Sequence, residues 1–158
     1  MSAQLIFDRV PLGSTVKYSD GSPRPPERHR KKLAAWENFN SGGRLIRKQA
    51  EARVGNTTIP ASITLHEGDY GSHGTIVLRV HRSFSVNSEL KFAVVERPAI
   101  GSVLVLDRAG DDAELVHLAA NRAAAEEWLT RHGYPNAVLQ EISADATAAD
   151  AVEGRIAA

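Results

Sequence analysis

Between residues 58 and 94 the chain alternates apolar and polar residues with a period of two, and this restricts its fold more than any other feature. Ile59, Ala61, Ile63 and Leu65 alternate with Thr58, Ser62, Thr64 and His66. Further on, Ile76, Leu78 and Val80 alternate with Thr75, Val77, Arg79 and His81. Successive side chains of a strand point to opposite faces, so such runs read as strands with one buried face. The two runs read as a hairpin around a loop at Glu67–Gly74. Phe84 and Val86 continue the pattern, Asn87-Ser88 turns, and Leu90, Phe92 and Val94 form another strand that Arg97-Pro98 ends.

The flanks add helices. Leu5-Ile6-Phe7 and Ser14–Tyr18 read as short strands, followed by a turn at Ser19–Ser22 and then Pro23, Pro25 and Pro26. Proline suits a helix's first turn, where its missing N–H costs nothing, so a helix is placed over Pro26–Asn38. Ser41-Gly42-Gly43 reads as its stop. Leu33 and Trp36 mark the docking face, and Arg44–Val54 reads as one strand. Val103–Leu106 and Glu114–Leu118 pair around a turn. Asn121 then caps a helix carrying Ala125, Trp128, Leu129 and His132 on one face, with Gly133 past its end, and Ala137–Ile142 returns as a strand.

The expected architecture is α+β, a mostly antiparallel sheet of about six to eight short strands with two packed helices. One domain spans 1–143, built from a basic helix–strand unit (23–55), a central β region (56–97) and a hairpin–helix–strand unit (101–143). Residues 144–158, rich in Ala and Asp, read as a flexible or weakly helical tail.

With 158 residues, 42% hydrophobic and 24% charged, the chain has the content of one folded domain. A domain of this size buries about 68–70% of its unfolded surface and needs no disulfide or metal for stability. Cysteine is absent, which removes thiolate metal sites and cysteine nucleophiles. No apolar run approaches the ~20 residues of a membrane span. Asp8 and Arg9 interrupt the apolar start, so a secretory signal is not expected, and the chain is expected in the cytoplasm with no membrane partner. The high arginine and alanine content fits a GC-rich bacterial genome.

Zero net charge conceals a sorting along the chain. Residues 1–55 hold eleven Lys/Arg against five Asp/Glu, residues 56–100 four of each, and residues 101–158 four against ten. Such asymmetry points to a polyanion-facing end or to electrostatic docking. Arg24, Arg28, Lys31 and Lys32 lie opposite the apolar face of the first helix, and Arg44, Arg47, Lys48 and Arg53 follow closely. Arginine grips phosphates bidentately, and each neutralised phosphate releases counterions. The leading expectation is therefore a non-enzymatic binding or regulatory protein that contacts nucleic acid, or another acidic macromolecule, through these eight residues.

Two other readings stand beside it. Opposite-charge ends suit a protein-interaction module, an inhibitor or assembly subunit, whose partner is another protein or a second copy of the chain. The cluster His66-Glu67-Gly68-Asp69-Tyr70-Gly71-Ser72-His73-Gly74 suits a small metal-dependent or hydrolytic enzyme. Its spacing fits no finger or calcium-loop pattern, and Gly71-Ser72-His73-Gly74 falls short of a nucleophile elbow. Ser41-Gly42-Gly43-Arg44 follows a helix, whereas phosphate loops precede one. No catalytic residue, metal ligand or cofactor is assigned.

Overall fold

The computed structural model describes residues 1–144. In chain order the elements are α1 (Ala3–Arg9), β1 (Thr15–Ser19), α2 (Arg30–Glu37), β2 (Ser41–Gln49), β3 (Ala52–Val54), β4 (Thr57–Ile59), β5 (Ser62–Ser72) and β6 (Thr75–Ser85). They continue with β7 (Lys91–Glu96), β8 (Val103–Leu106), β9 (Leu115–Ala119), α3 (Arg122–Thr130) and β10 (Val138–Glu141). Among the described residues these form a five-stranded sheet ordered β6-β5-β2-β1-β7, a three-stranded sheet ordered β10-β8-β9, and a β3-β4 ribbon. Every pairing is antiparallel. The α+β class holds, with ten strands and three helices among the described residues where fewer of each were expected.

The layers follow from which side chains are buried. Val16, Tyr18, Leu45, Ile63, Leu65 and Phe92 form one core on the five-stranded sheet, covered by Ala3, Ile6 and Val10 of the N-terminal segment. The opposite face meets the three-stranded sheet through Ile46, packed with Leu104, Leu106, Leu115 and Ile142. β8 is buried at all four positions. Its Leu104 and Leu106 point toward β2, while Val103 and Val105 pack with Ala119 and Ala125 beneath α3. The continuous apolar run at Val103–Leu106 is thus a strand covered on both faces.

Several local expectations are corrected. Leu5–Phe7 belongs to a helix: Ala3, Ile6 and Val10 fall on one buried face, and the Ser2 side chain accepts from the Leu5 N–H at 3.3 Å. α2 begins only at Arg30, and none of its residues is fully buried, so it docks weakly. Asn40 ends it, its side-chain amide donating to the Trp36 carbonyl at 2.9 Å. Gly42 and Gly43 lie inside β2. A Cβ on Gly43 would stand 2.5 Å from the His66 carbonyl oxygen, so close strand approach, and not a helix stop, requires glycine there.

The segment 67–74 is mostly strand, closed by a two-residue turn at His73 (φ 54°) and Gly74 (φ 78°). Because β2 pairs with β5 only as far as His66, the outer half of this hairpin stands beyond the sheet. Tyr70, Ile76 and Leu78 are exposed there, against the expectation of one continuous buried face. The strand expected over 44–54 divides into β2 and the ribbon. The expected tail at 144–158 falls almost wholly outside the described residues. Among the described residues no helix is long and apolar enough to cross a membrane.

Adjacent residues Leu45 and Ile46 of β2 face opposite sides and enter different cores, and a bulge between Leu45 and Arg47 shifts the strand beyond them. Replacing Ile46 by Ala is expected to cost about 2–5 kcal/mol in urea unfolding, since the three-stranded sheet would lose its main anchor on β2. An unchanged midpoint would show that the two sheets are held together elsewhere.

Candidate anion-binding site

Strand register builds the site. Arg44 on β2 pairs with His66 on β5, and His66 pairs with His81 on β6, so the three form a row across neighbouring strands. The row flanks Ile46, on the face opposite the α1-covered core. β9 and the C-terminal end of α3 supply the facing wall with His117, Trp128 and His132. Between the walls lies a cavity of about 340 Å³, within the usual range for a small-ligand site.

Both walls are held by specific contacts. His66 Nε2 donates to Asp69 Oδ1 at 2.7 Å, and Arg79 Nε stands 3.8 Å from the same oxygen. His66 and His81 meet edge to face with ring centroids 5.5 Å apart. Opposite, Trp128 stacks on His117 at 4.7 Å and on His132 at 3.8 Å, with interplanar angles of 4° and 8°. His132 Nδ1 donates to the Trp128 carbonyl at 2.8 Å, which fixes that ring. Burial pushes the His117 imidazolium to deprotonate below its ordinary value, and the nearby charges of His132 and Arg44 add to the effect. The Arg44 side chain makes no hydrogen bond or ion pair with another described residue. It presents an unpaired guanidinium to the cavity.

The cavity continues into two others. One of about 420 Å³ shares Arg44 and His66 with it and reaches Lys17 and Gly42. The next, about 520 Å³, shares Lys17 and Gly42 and reaches Lys91 and Trp36 of α2. A groove therefore runs from α2 to α3, with Lys91, Lys17, Arg44 and Arg79 along it.

The eight cations singled out in the sequence occupy different places. Arg24 lies 3.7 Å from Glu27, Arg28 donates to His29, and Lys31 and Lys32 are exposed on α2. Arg44 is in the groove. Arg47 donates to the Asp112 carbonyl at 2.9 Å and stands 3.9 Å from its carboxylate, while Lys48 lines a separate cavity with Asp111 and Asp112. Arg53 is on the exposed ribbon. Lys17, Arg79, His81, His117 and His132 were not singled out as site residues, and Asp69 was named only within the cluster at 66–74. The two-residue turn at His73-Gly74, with two bulges that cancel, sets His66 opposite His81. His66 and His73 stand seven residues apart along the hairpin, roughly 20 Å at strand rise. Among the described residues no group of three His, Cys, Asp or Glu could hold a metal.

The lowered His117 value gives a signed pH dependence. The unfolded chain binds that proton more readily, so His117 contributes stability above about pH 6.5 that is lost as pH falls through the folded value. Thermal melts from pH 7 to 5 are expected to fall less steeply for His117→Asn than for the parent; parallel curves would refute this.

Residues 1–146 match one family model, described as uncharacterised conserved protein UCP036055. No curated protein and no solved structure matches the chain.

Proposed function

We propose that this chain, which belongs to that family, is a nucleic-acid-binding protein whose groove between α2 and α3 takes a single strand. One observation carries the reading: three adjoining cavities, linked through Lys17 and Arg44, set cations along a continuous path. A path of this kind suits a polymer with regularly spaced charge. Arg44 is the central contact, because its guanidinium has no partner among the described residues. Arg47 is excluded from it by its bonds to Asp112, which account for part of the charge sorting by contact within the fold. The exposed cations of α2 supply further phosphate contacts at one end.

Fluorescence anisotropy with a labelled single-stranded oligonucleotide tests the reading. Binding is expected to weaken with salt at a log–log slope between about −2 and −3, for three or four phosphate contacts. Arg44→Glu is expected to remove it without altering the circular dichroism spectrum. Binding that survives this change, or no binding at low salt, overturns the proposal.

A second reading has its own support. Tyr70, Ile76 and Leu78 expose an apolar patch on the outer hairpin, which suits a protein partner.

A further inference from the structure

We propose that the cavity between β5 and β9 cleaves single-stranded RNA, with His117 as general base and His66 as general acid. This rests on the nucleic-acid reading above and adds a reaction to it. The two imidazoles belong to opposite walls of one cavity, and both are oriented by neighbours. His117 lies flat against Trp128, itself stacked on His132. Asp69 engages His66 Nε2, which fixes the ring, supplies a counter-charge for its protonated form and leaves Nδ1 unengaged. Two titratable groups in contrasting environments are the arrangement acid–base catalysis needs. His117 is desolvated and has cationic neighbours, whereas His66 is bonded to a carboxylate. Arg44 stands near enough to His117 to influence its charge, and its free guanidinium is placed to hold the phosphate oxygens.

The step balances with RNA alone. A ring nitrogen of His117 takes the proton of a ribose 2′-hydroxyl, and the oxygen attacks the adjacent phosphorus. The new 2′-O–P bond replaces the P–O5′ bond, and the Nδ1 proton of His66 passes to the departing 5′ oxygen. The products are a 2′,3′-cyclic phosphate and a 5′-hydroxyl end, and solvent restores both histidines. No electron transfer is involved. Arg44 and Arg79 stand where negative charge grows on the phosphorane oxygens. Asp69 and Trp128 are positioning residues, because they act through the two imidazoles.

The test uses the full chain with a labelled single-stranded RNA in the presence of a chelator. DNA of the same sequence and a 2′-O-methyl RNA serve as controls. Only the unmodified RNA is expected to be cut, leaving a cyclic phosphate. The rate is expected to fall at acid pH as His117, faced by Arg44, Glu114 and His132, takes up a proton and ceases to act as base. His117→Asn and His66→Asn are each expected to lower the rate by about 10²–10⁴-fold. Circular dichroism spectra and melting midpoints close to the parent's show that both variants fold. Asp69→Ala is expected to slow cleavage and Asp69→Glu to restore part of the rate, as a positioning role for the carboxylate on His66 requires. Uncut RNA that still binds overturns the cleavage and leaves the binding function standing. Cleavage that neither histidine variant reduces traces to a contaminating nuclease and also overturns it. Failure of every oligonucleotide to bind overturns both.

Discussion

One extra residue in β2 organises the molecule. Leu45 pairs with Leu65 and Arg47 with Thr64, so Ile46 is the bulged position between them. In a regular strand Leu45 and Ile46 would take opposite faces and the alternation would continue unchanged. The bulge instead shifts the remainder of β2 by one position, and Arg47 reaches Asp112 beside the three-stranded sheet. Leu45 anchors the core beneath α1 and Ile46 the core shared with β8 and β9, so one strand joins both hydrophobic layers. Leu12 packs against both and closes the seam. Arg44, one residue before this pair, is thereby placed at the edge of the inter-sheet contact, where a cavity remains open.

What was legible in the sequence follows the same division. The period-two runs at 62–66 and 91–94 and the apolar run at 103–106 are strands: burial follows the pleat at 91–94, covers the consecutive positions 63–65 in β5, and covers both faces of β8. Asn121 caps α3 as read, its side chain accepting from the Ala124 N–H at 2.8 Å. α1 was misread because three consecutive apolar residues, Leu5 to Phe7, suit a strand or a helix, and Ala3 and Val10 decide between them. Glycines in 68–74 resembled a loop, yet Gly71 sits where a Cβ would meet the Thr75 carbonyl oxygen, inside the hairpin. Two bulges shift the β5–β6 register and cancel, restoring the pairing of His66 with His81. No local pattern announces such compensation.

The site was less legible than the fold for a physical reason. Its histidines come from positions 66, 81, 117 and 132, on three strands and a segment just past α3, and only tertiary contact brings them together. Trp128 illustrates the difficulty. Helical periodicity assigned it to the core with Ala125 and Leu129, and it does pack there in part. Its ring faces also meet His117 and His132, so the same residue belongs to the core and to the pocket wall. Aromatic stacking limits the rotamers of both histidines and positions them at little entropic cost.

Charge balance then decides what kind of ligand the pocket suits. Arg79 shares Asp69 with His66, and Glu114 also lines the wall, so the cationic excess is small while the histidines are neutral. Arg44 is the guanidinium left uncommitted, and each histidine that takes a proton adds to it. A broad polyanion surface would instead carry many unpaired Lys and Arg and keep its potential across neutral pH. In the proposed reading the outer groove would supply the salt-sensitive attraction through Lys17 and Lys91, while the pocket would place one phosphate beside Arg44. Acidic conditions therefore strengthen the hold on a phosphate but protonate His117, the proposed base. The two requirements oppose each other, and their crossing is what gives a site of this composition an optimum in pH.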